Sequence, residues 1–313
     1  KPFKAVRPSR DKVALVSSKS YDAYTDKELD AKLEFNPFSF LHIINPGYKY
    51  HQEFTGEQRF QMIHNRYEEF KENKIFIKDT KDSFYIYESL DSHDSFCGSI
   101  AATAVDDYIN GYIKKHEGTI KKREKLFENY LKATGFNAEP VLLTYEDDEN
   151  FNKLLQTLKE KRPEYEFSTT DKKLHRLWLI DDEINIEKIT SFFEKKEALY
   201  IADGHHRSES SSLLKKALQK ENNHHNGTEN YNYFMSYIIP ESNLKISEFN
   251  RFIKDLNGLT IDEFLIELDK SYRIEEKGER FYKPSQKHHF SMYLDGKFYS
   301  LYLRKSVYAY KDA

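Results

Sequence analysis

Ala198-Leu-Tyr-Ile-Ala-Asp-Gly-His-His-Arg-Ser-Glu-Ser-Ser-Ser-Leu-Leu214 is the stretch whose reading decides the fold. Ala198 to Ala202 is a short, largely apolar run and reads as a buried strand. Asp203-Gly204 is a turn signal. From His206 the pattern becomes helical, with Leu213, Leu214, Ala217 and Leu218 on one face. The expected local structure is strand, tight turn, helix. Such a turn receives the free N–H groups of the helix start, and the macrodipole adds partial positive charge there. His205, His206 and Arg207 bring proton-carrying side chains to the same place, and Gly204 permits close backbone approach to a ligand. This is the chemistry of an anion site, with phosphate as the expected anion. Asp203 adds a carboxylate suited to a metal ion, a proton or the helix cap. A plainer reading fits the same residues: Asp-Gly before a helix is common, and paired histidines are at home on a solvated surface.

Composition narrows what surrounds this stretch. A chain of 313 residues suggests one large domain or two modest ones. With 23 Tyr and 23 Phe, aromatic rings carry much of the packing. The net charge of -3, with both signs well mixed, leaves no basic stripe and argues against a nucleic-acid binder. Cys97 is the single cysteine, so a disulfide scaffold is excluded and a reducing, cytoplasmic setting is expected. No signal-peptide pattern or apolar run of membrane-spanning length stands in the sequence, so no membrane partner is expected. The last segment, ending at Ala313, has no obvious terminating element, and a shortened form of something longer is expected.

Working outward along the chain, Val13–Val16 and Phe40–Ile44 read as short strands. Thr25 and Glu28 have capping-box spacing for a helix that buries Leu29 and Leu33 and stops at Asn36-Pro37. Glu57–Lys71 reads as an amphipathic helix. Ile75–Lys78 and Phe84–Leu90 alternate like the arms of a hairpin, Phe96–Ala104 is a further strand, and Val105–Lys115 a helix. Val141–Tyr145, Leu174–Ile180 and Tyr233–Ile239 read as strands, and Ile184–Glu194 and Thr260–Leu268 as helices. Glu221–Asn230, with His224 and His225, reads as a polar loop. Asp295-Gly296 is a two-residue turn between strands His289–Leu294 and Phe298–Arg304. The mixture predicts an α+β (mixed α/β) fold, with mixed sheets flanked by helices. Three regions are expected: an N-terminal α/β region at 1–104, a core with the phosphate-binding turn at 105–245, and a C-terminal helix and hairpin at 246–313.

His116-Glu117-Gly118-Thr119 has two readings. It is either a helix break on a solvated surface or a second piece of the site, with Glu117 as a carboxylate base and the basic run Lys121–Arg123 near phosphate. Arg251 and Lys254 either reach an anion or form surface pairs. The P-loop, the dinucleotide glycine motif, the serine-hydrolase elbow and His-Glu-x-x-His are all missing, so any phosphate cradle at 203–207 is of a less common kind.

Several segments together resemble a bacterial family long labelled only as a domain of unknown function. They are Lys1-Pro-Phe-Lys-Ala-Val-Arg-Pro8, Ser20-Tyr-Asp22, Asn36-Pro-Phe-Ser-Phe-Leu-His42, Lys115-His-Glu-Gly-Thr119, Ala202-Asp-Gly-His-His-Arg207 and Asn250-Arg-Phe-Ile-Lys-Asp-Leu-Asn-Gly258. Members of that family usually continue further. The Asp203–Arg207 segment also resembles the phosphate-binding turn of the ParB and sulfiredoxin superfamily, which includes free-serine kinases. In those kinases a His-Glu pair upstream supplies the catalytic glutamate; His116-Glu117 stands in the same order at a larger separation.

The resemblance implies a serine kinase moving a phosphoryl group from pyrophosphate, or from ATP or ADP, to free L-serine with Mg²⁺. It implies Glu117, Asp203 and His206 as catalytic residues, and Gly204, His205, His206 and Arg207 as phosphate ligands. Asp203 would hold the metal, and Ser20, Asp22, His116, Thr119 and Arg251 would line the substrate. The alternative is a non-catalytic, ParB-like regulator that binds a nucleotide or phosphate metabolite and has no need of Glu117.

Overall fold

The computed structural model describes residues 1–20, 23–92, 94–245, 248 and 250–307. They form two compact units, Lys1–Lys245 and Ile246–Ala313. In chain order the first unit carries β1 (Val6–Pro8), α1 (Val13–Val16), α2 (Asp26–Phe35), α3 (Leu41–Ile44), α4 (Gly56–Glu72), β2 (Phe76–Lys78), β3 (Phe84–Leu90) and β4 (Ser95–Ala104). There follow α5 (Val105–Ile109), β5 (Ile113–Lys114), α6 (Lys121–Thr134), β6 (Val141–Tyr145), α7 (Glu149–Lys159), β7 (Tyr165–Ser168) and β8 (Leu174–Ile180). The unit closes with α8 (Glu183–Glu194), β9 (Leu199–Asp203), α9 (His205–Glu221) and β10 (Tyr233–Pro240). The second unit holds α10 (Ile261–Asp269), β11 (Tyr272–Gly278), β12 (His289–Leu294) and β13 (Lys297–Leu303).

An eight-stranded mixed sheet, in the order β5-β9-β6-β10-β4-β3-β8-β7, organises the first unit. The pairs β5–β9 and β6–β10 are parallel and the other contacts antiparallel. This is the α+β class with helices against a mixed sheet. The main core joins Phe84 and Ile86 of β3, Leu143 of β6, Ile201 of β9 and Phe234 of β10 to Phe151 and Leu155 of α7 and Ile189 of α8. Two facing aromatic rings, Phe151 and Phe192, stack at 3.8 Å in this core. β4 lies between β3 and β10, and small residues suit it there: a Cβ on Gly98 would sit 2.3 Å from the Ile238 carbonyl oxygen.

Local signals account for the helix starts. Thr25 and Glu28 form a capping box at α2, Thr260 and Glu263 another at α10. Asp148 accepts from the N–H groups of Asn150 and Phe151 at 3.0 Å to begin α7. In the second unit α10 precedes an antiparallel sheet of order β11-β13-β12. Its tight turn has positive φ at both Asp295 (47°) and Gly296 (78°), as a type I′ hairpin requires.

Several expectations are corrected. Val13–Val16 and Leu41–Ile44 are single helical turns rather than strands; runs of four mostly apolar residues carry no period to separate the two states. The strands at 76–78 and 84–90 do not pair with each other. β2 pairs with β1, and β3 pairs with β4 and β8. The helix from Val105 stops at Ile109, because Asn110-Gly111 turns the chain with Gly111 at φ 74°, and β5 follows. No domain boundary falls at 104/105, since one sheet takes β3 and β4 from before that point and β5 to β10 from after it. β1, β7 and β11 lie outside the strands that the sequence predicts. Among the described residues no helix is long and apolar enough to cross a membrane.

Candidate functional site

Strand pairing assembles the site. β5 and β9 run parallel, with Ile113 opposite Leu199 and Lys114 opposite Tyr200. Parallel neighbours deliver their following segments to the same end of the sheet. The chain leaving β5 therefore enters Lys115-His116-Glu117 beside the Asp203-Gly204 turn that leaves β9. In open sheets the carboxyl ends of parallel strands are the usual place for ligands.

Leu199 and Ile201 point β9 into the core, and Asp203 emerges exposed. Gly204 then takes φ 99°, ψ 28°, a left-handed conformation that L side chains resist. The change of direction starts α9 at His205, with no side chain capping it. The N–H groups of His205, His206 and Arg207 belong to the first turn and have no acceptor within the helix. The buried face of α9 is not the expected leucine face. Ser208, Ser210, Ser211 and Ser212 are buried, whereas Leu213 and Leu214 are half-exposed. The serine hydroxyls donate back along the helix, Ser210 to the His206 carbonyl at 2.6 Å and Ser211 to that of Arg207 at 2.9 Å. Ser210 also reaches the Glu124 carbonyl of α6 at 3.0 Å, so small side chains let the two helices close up. Lys215 to Asp106 (2.5 Å) and Tyr108 to Glu209 (2.6 Å) fasten α9 to α5.

The Arg207 guanidinium is clamped by two carboxylates: Nη2 donates to Asp203 Oδ2 and Nη1 to Glu139 Oε2, each at 2.6 Å. It also packs against Gly204, where a Cβ would meet its Nε at 3.0 Å. Glu139 did not emerge from the sequence. It stands alone before Pro140, and only the fold brings it to Arg207.

Across the turn lies His205, buried to 7% exposure. Its Nδ1 is 3.9 Å from Glu117 Oε2, and its ring meets that of His116 edge-on at 4.5 Å. Burial, and then the neighbouring His116, push the His205 imidazole below its ordinary value, against the opposing pull of Glu117 and Asp203. A neutral imidazole offers one N–H and one lone pair rather than a full positive charge. His205 Nε2, His206 Nδ1 and Arg207 Nε are buried with no hydrogen-bond partner among the described residues.

Beside Arg207 opens a cavity of about 460 Å³, lined by Ser18, Lys19, Ser20, Phe40, Ile44, Phe127, Tyr130, Leu131 and Asn137–Glu139. Ser20 is thus brought to the site. Thr119 follows Glu117 in the same exposed segment and is half-buried. Asp22 lies outside the described residues, and Arg251 belongs to the second unit. His224 and His225 are in a loop, where His225 Nδ1 is held by Glu229 at 3.0 Å and by Tyr231 at 2.9 Å.

Fold and site define an α+β protein in which an open helix start, an arginine between two carboxylates and a His-Glu pair meet at one end of a mixed sheet. The family model described as "Protein of unknown function (DUF1015)" matches residues 1–312, and the chain belongs to that family. No curated protein and no solved structure matches it.

Proposed function

We propose that this protein is a phosphotransferase that moves a phosphoryl group from pyrophosphate, or from ATP or ADP, to the hydroxyl of free L-serine. One observation carries the reading: the Gly204 turn opens the 17-residue helix α9 toward the exposed carboxylate of Glu117, with His205 between them, 3.9 Å from that carboxylate. Donor phosphate oxygens would accept from the N–H groups of His205, His206 and Arg207. His206 and Arg207 would meet the charge on the transferred group, with Arg207 turning from Asp203 and Glu139 toward the donor. Glu117 would take the proton from the serine oxygen as that oxygen bonds to phosphorus and the bond to the leaving phosphate breaks. Asp203 is the oxygen ligand at hand for Mg²⁺, which would neutralise charge on the donor. The reading assigns the reaction to the cytoplasm, in keeping with a single, buried cysteine.

The test is phosphoserine formation from L-serine and Mg²⁺, with pyrophosphate, ATP and ADP in parallel. Turnover with one of the donors is expected. Glu117→Gln should then lower the rate roughly a hundredfold or more with donor binding retained. Donor binding without turnover would leave the non-catalytic regulator, and full activity in Glu117→Gln would remove Glu117 from the reaction.

A further inference from the structure

We propose that His116, Glu117 and His205 form a binding site for a first-row transition metal of the Zn²⁺ class. One potential ligand atom from each of the three lies within 4.8 Å of the others. Two imidazoles and one carboxylate are a donor set for zinc, iron, nickel or copper, with coordination positions left for water or an exogenous ligand. Mg²⁺ prefers oxygen donors, so this set differs in chemistry from the Asp203 ligand of the reading above.

The buried member of the set points the same way. His205 is 7% exposed, its Nδ1 faces Glu117 at 3.9 Å, and its Nε2 is buried with no hydrogen-bond partner among the described residues. An ion bound on the Glu117 side would take Nδ1, so what favours this imidazole is its placement beside Glu117 and His116 rather than the unpaired Nε2. His205 is held rigidly as the first residue of α9. His116 and Glu117 stand in an exposed segment after β5, outside helix and strand; from separations of up to 4.8 Å they would draw in by up to about 1.4 Å to reach the roughly 3.4 Å between tetrahedral donors on bonds of about 2.1 Å. The other histidine pair, His224-His225, is a poorer place for an ion, because Glu229 and Tyr231 already hold His225. Binding through one carboxylate oxygen leaves the other oxygen of Glu117 free to accept a proton.

The inference shares side chains with the phosphotransferase reading but does not rest on it, and its test needs no turnover. Untagged full-length protein, stripped with a chelator, is titrated with Co²⁺ and followed by visible absorption. One Co²⁺ per chain is expected, with Zn²⁺ displacing it and excess Mg²⁺ leaving it in place. His116→Ala and Glu117→Gln, both at exposed positions, should each weaken Co²⁺ by on the order of a hundredfold while circular dichroism stays unchanged. Absence of a Co²⁺ spectrum, or equal affinity in folded His116→Ala and Glu117→Gln proteins, would overturn the site whatever the fate of the phosphoserine assay.

Discussion

Gly204→Ala probes the turn on which the whole site depends. The backbone there is left-handed, at φ 99°, and an L residue in that region costs about 1–2 kcal/mol. The added Cβ would stand 3.0 Å from Nε, 3.1 Å from Nη2 and 3.3 Å from Cζ of Arg207, so the guanidinium must give by a few tenths of an ångström against its contact with Asp203. That exposed pair contributes at most about 1 kcal/mol. Against these, alanine narrows the unfolded ensemble by about 0.4–1 kcal/mol. An unstrained glycine-to-alanine change shares that last gain, so relative to one the penalty is about 1–3 kcal/mol, or roughly 2–12 °C in Tm for a unit of this size. Gly118→Ala is the control: its Cβ would meet nothing within 4 Å. The measurement is thermal unfolding by circular dichroism of both variants, repeated in an Arg207→Ala background. In that background the Gly204→Ala penalty should shrink by its contact part and keep its backbone part. A Gly204→Ala protein that melts with Gly118→Ala would refute the strained turn.

Gly98→Ala should destabilise by roughly 2–3 kcal/mol, seen as a lower urea midpoint, because its Cβ would sit 2.3 Å from a backbone oxygen of the paired strand and only a backbone shift relieves that. Lys159→Met leaves Glu88 buried with only Arg176, at 3.7 Å, in place of a 2.7 Å partner. A loss of about 3 kcal/mol in urea unfolding is expected, and a neutral result would mean that Arg176 compensates fully. His205 has its folded value lowered by burial, so the unfolded chain binds the extra proton first. Its contribution is therefore intact above the ordinary histidine range and is lost as pH falls below about 6.5. His42 and His175 shift the same way, so the comparison is with His205→Gln, whose stability should fall less between pH 7.5 and 5.5; parallel curves would exclude His205 as a source.

Much of the local structure was legible from neighbouring residues alone. Thr25 and Glu28, Asp203-Gly204 and Asp295-Gly296 each act through backbone geometry within a few positions, and each produced the expected cap or turn. Short apolar runs were not legible. Val13–Val16 and Leu41–Ile44 became helical turns, since four residues bury equally well in either state. The serine face of α9 was missed because hydroxyls that donate to the preceding turn become tolerable in the interior, which no hydropathy pattern announces.

The sequence by itself determined the strand, the glycine turn and the helix at 199–221, together with the chemical types gathered at its start. Those depend on interactions between residues close along the chain. Only the tertiary structure decided that Glu117 and His116 stand against His205, and that Glu139 and Asp203 share Arg207. The first follows from two residue pairs between β5 and β9, Ile113 with Leu199 and Lys114 with Tyr200, whose members are 86 positions apart in the chain. The second follows from the course of the chain between α6 and β6, which carries Glu139 to the start of α9. Such pairings are selected by burial of the whole sheet, a property of the assembled core that no single stretch of the chain encodes.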